Sequence, residues 1–164
     1  MSEQNITLKM SSGIFSYRIG AIIIHSDRVL MAQNNGSPFY YSVGGRGKFG
    51  EAARDAVLRE AFEETQIKFE IDRLAFIHEN FCVLENEPFH ELALFFIMKT
   101  NNQVAEMKSF NFIEEYSEVT LHWLPICRLG DFLIYPEFFK TELNNLSNNV
   151  KHFITKNGIT YRAN

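Results

Sequence analysis

The chain has 164 residues, enough for one hydrophobic core and one site, which excludes a multidomain machine. Hydrophobic residues make up 46% and charged residues 22%, the balance of a globular protein and not of a disordered one. A formal net charge of -4 excludes the broadly basic face that a polymeric nucleic acid requires, yet leaves room for a local basic patch that binds a small anion.

In chain order, residues 14–25 are rich in β-branched side chains and read as a strand. Ser26, Asp27 and Arg28 then turn the chain into a second strand over 29–33, so a hairpin is predicted. Residues 34–38 are loop by composition. An aromatic strand over 39–43 runs into the segment 44–50, which holds Gly44, Gly45, Gly47 and Gly50 and reads as an unusual loop. From Glu51 to about Thr65 there is no Gly or Pro, and Ala, Leu, Arg and Glu dominate, which predicts a helix.

Beyond the helix, 67–71 and 74–79 are strand candidates, 85–88 is a polar turn, and 91–99 is an apolar strand. Its near-continuous apolar run over 92–98 suits a central strand covered on both faces. Residues 100–117 are polar and expected to be irregular, and 120–125 form a short strand. Pro136 stands where a helix can begin, with Phe138, Phe139, Leu143 and Leu146 as its apolar stripe. Residues 150–155 and 159–162 close the chain as a hairpin turning at Asn157 and Gly158. Strands in series interrupted by two helices predict an α+β fold, a mixed sheet between helices, as one domain over 1–164.

Cys82 and Cys127 are far apart and in no metal-ligand or redox spacing, so two reduced thiols in a cytoplasmic protein are expected. The first apolar run, 19–24, is far shorter than the roughly 20 residues that span a bilayer, so no membrane partner is expected.

The chemistry concentrates between Gly45 and Ile67. At helical spacing, Glu60, Glu63 and Glu64 share one face, where their like charges repel. A hard divalent cation would offset that repulsion and could bridge the carboxylates to a diphosphate. The plainer alternative is a solvated helix face with Arg59 and Lys68 as loose partners. The preceding glycine loop favours the site, because a Gly-rich turn entering a helix presents N–H groups to an anion.

Read in order, Gly45, five residues, Glu51, seven residues, Arg59-Glu60-Ala61-Phe62-Glu63-Glu64-Thr65-Gln66-Ile67 resembles the Nudix box. The box normally carries Gly where this chain has Gln66 and a bulky residue where it has Ala61, and Val43 stands where many relatives have Pro. The resemblance implies an α/β/α sandwich and a pyrophosphohydrolase that uses Mg2+ or Mn2+ on a nucleoside diphosphate linked to another moiety. It implies Glu60 and Glu64 as leading metal ligands, Glu63 as a third ligand or the group that acts on water, and Arg59 as the residue holding the carboxylates. Homodimers are common among such relatives. Gln at the usual Gly position must adopt a left-handed conformation, at a cost on the order of 1 kcal/mol.

Family enzymes often take a further acid from a distant loop as general base. Glu114, Glu115 and Glu118 are placed for it, with Glu118 preferred. Arg18 and Arg46, with the backbone at Gly45, are the candidates for binding substrate phosphate. His90-Glu91 opens the central strand and could touch a ligand, but it lacks the second histidine of a zinc-binding H-E-x-x-H helix. Phe81, Phe89, Phe95 and Phe96 could stack a base, although core packing is the better default. The competing readings are a nucleotide-binding or regulatory module that kept the fold without turnover, and an unrelated structural domain.

Overall fold

A computed structural model describes residues 4–107, 111–114 and 117–163. Strands β1 (Thr7–Met10), β2 (Gly13–Ile22), β3 (Ile24–His25), β4 (Arg28–Asn34) and β5 (Phe39–Arg46) precede helix α1 (Ala53–Thr65). There follow β6 (Glu70–Leu84), β7 (Glu87–Lys99), α2 (Asn102–Glu106), β8 (Asn111–Glu114) and β9 (Ser117–Pro125). A 3-10 segment (Ile126–Asp131), β10 (Leu133–Tyr135), α3 (Phe139–Glu142), β11 (Lys151–Lys156) and β12 (Ile159–Arg162) complete the chain.

The strands lie in the order β12-β11-β6-β7-β2-β5-β4-β9-β8, with β1 on β2, β10 on β5 and β3 on β4. β2 runs parallel to β7, and β11 parallel to β6, while β6 with β7 and β2 with β5 are antiparallel. The sheet is therefore mixed, as the sequence predicts.

Alternation along β7 explains why the sheet needs cover on both faces. Phe96 and Met98 join Ala56, Val57 and Ala61 of α1 in one core. Ala93, Phe95 and Ile97 join Leu129, Phe138 and Phe139 in the other. An α+β sandwich results, with α1 on one face and the 3-10 segment and α3 on the opposite face. In the second core Phe138 stacks on Phe153 at 4.3 Å, and Phe139 meets Phe95 edge-on at 5.2 Å. Such pairs add about 0.5–1.5 kcal/mol each to the burial of the rings. No helix among the described residues is long and apolar enough to cross a membrane.

Three two-residue turns close hairpins at Ser26-Asp27, Glu85-Asn86 and Asn157-Gly158, all with positive φ at both positions. That is the handedness a tight hairpin requires, and Asn, Asp and Gly tolerate it best.

Several boundaries differ from expectation. The two strands expected at 67–71 and 74–79 are one strand, β6, because irregularities at Asp72 and Ala75 absorb the polar interruption without breaking the pairing with β7. β5 continues through Gly44 and Gly45 to Arg46, so the first half of the expected glycine loop is strand. α1 begins at Ala53, two residues later than Glu51, whose side chain is engaged elsewhere. The polar stretch 100–117 contains α2 and β8, with Asn101 capping α2 through its side chain on the Val104 N–H. The helix expected from Pro136 to Leu146 is a single turn. Asn144 bonds back to the Lys140 carbonyl, and Asn and Ser residues follow that favour turns over helix.

Candidate active site

Small side chains let α1 lie close against β2 and β5, with Ala56, Val57 and Ala61 fully buried beside Ile19 and Val43. Gly44 has φ 133°, and a Cβ there would lie 2.2 Å from the Ile19 carbonyl oxygen, so only glycine keeps β5 this near β2. A Cβ on Gly45 would lie 2.4 Å from Glu60 Oε2, which means the Glu60 carboxylate occupies the space that a larger residue at 45 would take. The adjacent Gly44 N–H donates to Glu64 Oε1 at 2.7 Å. The pair of glycines thus receives two helix carboxylates one turn apart.

Glu60 is 7% exposed and Glu64 4% exposed, while the Glu63 side chain is 55% exposed. The alternative of a uniformly solvated face is therefore set aside for Glu60 and Glu64, and describes Glu63 only. Arg59 organises the group. Its Nε and Nη2 donate to the two Glu51 oxygens at 2.7 and 2.9 Å, and its Nη1 donates to Glu60 at 2.6 Å and Glu63 at 3.3 Å. Nη2 also reaches the Arg46 carbonyl at 3.3 Å. Glu51 in turn accepts from the Lys48 N–H, which ties the loop to the helix. The Arg59 hydrogen bond holds the Glu51 carboxyl below the usual carboxylate range, and the same contact raises the guanidinium further.

Gln66 ends α1 in the left-handed region at φ 58°, with its N–H on the Phe62 carbonyl. Its side-chain amide donates to the Phe62 and Glu63 carbonyls, so Gln66 covers carbonyls that a Gly at this place would leave to water.

These elements border a cleft of about 660 Å³. Arg18, Gly45, Arg46, Arg59, Glu60, Glu63 and Glu64 all line it. Arg18 donates to the carbonyls of Ser42 and Gly44 at 3.2 and 3.3 Å. It stands directly across from Arg46 on the neighbouring strand, which brings two positive charges to the cleft. Glu118 is exposed on β9 and accepts from Asn35 at 3.4 Å; it is not itself a lining residue, although its neighbour Val119 pairs with cleft-lining Asn34. Glu115 lies outside the described residues, as does the side chain of Glu114.

Of the His90-Glu91 pair, Glu91 lines the cleft, whereas His90 stacks on Phe81 at 4.2 Å. Phe96 is core and Phe95 is both core and cleft floor. His78 and Asn80 of β6 also line the cleft, and sequence reasoning missed both. Burial raises the Glu91 carboxyl above its ordinary value, with Arg18 and Arg46 partly opposing the shift. Burial also lowers His78 to about 4, so this imidazole is neutral.

Among the described residues, no three acidic, histidine or cysteine side chains stand together as a ready metal cage. The donor set nevertheless fits a hard divalent cation. Two sheltered carboxylates on adjacent turns offer oxygen ligands, a third lies beside them, and Mg2+ completes its shell with water and phosphate.

A family model for the NUDIX domain matches residues 15–138. Among solved structures, a mutator MutT protein from Bacillus halodurans superposes with a TM-score of 0.59 at 18% identity, over 87% of this chain and 91% of that one. A MutT NUDIX hydrolase from Burkholderia pseudomallei gives 0.59 at 20% identity, over 81% and 98%. An ADP-ribose pyrophosphatase from Streptococcus suis gives 0.54 at 14% identity, over 85% and 98%. At these identities the likeness shows the fold. No curated protein matches the sequence. With well over half of its length inside the family model and the box residues drawn to one wall of the cleft, the chain belongs to the NUDIX domain family.

Proposed function

We propose that the protein hydrolyses a diphosphate linkage in a nucleoside diphosphate derivative, with Glu60 and Glu64 holding Mg2+ or Mn2+ and Glu63 beside them. The observation that carries this reading is the burial of Glu60 and Glu64 against Gly45 and Gly44, with Arg59 clamped between Glu51 and Glu60. Carboxylates are not kept in such a place for solubility. When bound, the cation supplies charge neutralisation and Lewis acidity at the phosphate oxygens.

The chain's own residues supply the rest. Arg18 and Arg46 face each other across the β2–β5 pair and neutralise phosphate oxygens as the substrate enters. Arg59 fixes the rotamers of Glu51 and Glu60, so the ligand geometry precedes binding. Glu63, the most exposed of the three helix carboxylates, orients the attacking water and accepts its proton as the new P–O bond forms and the bridging oxygen leaves. Glu118 is not among the residues lining the cleft, and this scheme gives it no step. Family membership supports the reaction class, and one structurally similar protein is named an ADP-ribose pyrophosphatase.

The test is product release from a panel of nucleoside diphosphate derivatives with Mg2+, with Mn2+ and with a chelator. Metal-dependent turnover of at least one member is expected. Nucleotide binding without turnover of any member contradicts the proposal.

A further inference from the structure

The face of the sheet that floors the cleft carries a second polar group, two strands away from the glycine pair. β2 pairs with β7 so that Arg18 meets Ala93 and Ser16 meets Glu91, and β7 pairs with β6 so that Glu91 meets Asn80. Glu91 and Asn80 are therefore adjacent on one face, and both line the cleft. No hydrogen bond from the described residues reaches the Glu91 carboxylate; Arg18 and Arg46 act on it only through their charge. Among the described residues, the Asn80 side chain makes only a long contact to Cys82 Sγ at 3.9 Å. Two neighbouring, half-buried side chains whose polar groups the described residues largely leave to the cleft, at the end away from the glycine pair, describe the seat of the substrate's non-phosphate part.

We infer that Glu91, with Asn80 beside it, is a specificity-determining acceptor that selects substrates whose non-phosphate group offers two adjacent hydrogen-bond donors. A carboxylate has two acceptor oxygens and no donor when ionised, so paired N–H or O–H groups satisfy it in a bidentate manner. A ligand lacking one donor leaves an acceptor buried and unmet, which is the arrangement that discriminates most strongly between analogues. Two chemical sources present such a pair: a purine edge with a ring N–H beside an exocyclic amine, and the cis-diol of a ribose. This inference rests on the reading of the cleft as a nucleotide site, but not on turnover.

The experiment is calorimetric titration of the full chain with nucleoside monophosphates, which contain no anhydride and report binding alone. GMP against IMP removes the exocyclic amine, and GMP against 2'-deoxy-GMP removes one hydroxyl of the diol. Wild type is expected to lose about tenfold or more in affinity in one arm. In Glu91→Gln, whose amide has only one acceptor oxygen, that loss is expected to shrink to about threefold or less. A melting temperature for Glu91→Gln at or above that of wild type establishes that the variant is folded; Asn80→Ala, with the same narrowing in the same arm, provides a second variant. Equal affinities in both arms for wild type, or a loss that persists unchanged in both variants, overturns the inference. Discrimination without any hydrolysis would keep it while removing the proposed reaction.

Discussion

Arg59 and Glu51 form a two-pronged ion pair across the first turns of α1, with Nε and Nη2 at 2.7 and 2.9 Å from the two carboxylate oxygens. The remaining Nη1 is thereby aimed at Glu60, so the orientation of a proposed metal ligand is set by a residue nine positions upstream of it. Lys has a single ammonium and cannot occupy both ends of this fork. Arg59→Lys is expected to fold with a loss of about 1–3 kcal/mol, read by chemical denaturation. It is expected to lose about 100-fold in kcat/KM as Glu60 drifts. Because Glu51 is held below its ordinary pKa, its contribution is present above the unfolded carboxylate pKa of about 4.3 and is lost as pH falls through the lower folded value. The wild-type advantage over Arg59→Lys should therefore narrow only in acid.

Gly45 offers a test that leaves the carboxylates in place. Its backbone does not require a positive φ, so Ala is conformationally allowed, but the added methyl meets the Glu60 carboxylate. Gly45→Ala is expected to retain the fold and weaken Mg2+-dependent activity by about 10- to 100-fold, mainly through a higher metal requirement. Activity at unchanged Mg2+ dependence would show that Glu60 does not bind the metal.

The wall formed by α1 was legible because a helix converts sequence spacing directly into a shared face, and Gly44 and Gly45 announce a close approach. The floor was harder to read. His78 and Asn80 face the cleft only because β6 runs unbroken through two irregularities, and an alternation count loses phase there. A usable signal did exist. Once the turn is placed at Glu85 and Asn86, stepping back along β6 and forward along β7 brings Asn80 opposite Glu91. Glu118 follows from the resemblance alone; it stands exposed on β9, where it accepts from Asn35, and β9 pairs with β4 beside cleft-lining Asn34.

Gln66 replaces the glycine of the box at a φ of 58° yet caps two carbonyls with its side chain. The two effects oppose each other, so Gln66→Gly is expected to change stability by no more than about 1 kcal/mol and activity by less than about twofold. A β-branched residue gains neither advantage, and Gln66→Val is expected to lower the melting temperature by several degrees, read by thermal unfolding.

His78 is buried against Phe138 with its Nε2 2.8 Å from Thr155 Oγ1, and burial lowers its pKa from 6.5 to about 4. The unfolded chain therefore binds a proton between these values that the folded chain does not, and stability falls as pH drops through that window. The loss is roughly 3 kcal/mol in total. Replacing His78 with Asn should flatten the denaturation free energy between pH 6.5 and 4, even if its value at pH 7 is lower.

The central claim is that Glu64 is a metal ligand and not merely an acceptor for the Gly44 N–H. Glu64→Gln separates the two roles, because the amide oxygen can keep the hydrogen bond while the negative charge is lost. The decisive measurement is product release by wild type and Glu64→Gln across a Mg2+ titration, on the best substrate of the panel. The account predicts a folded variant whose turnover falls by about 100-fold or more and is partly recovered only at high Mg2+. Wild-type turnover with an unchanged Mg2+ midpoint in Glu64→Gln would contradict it.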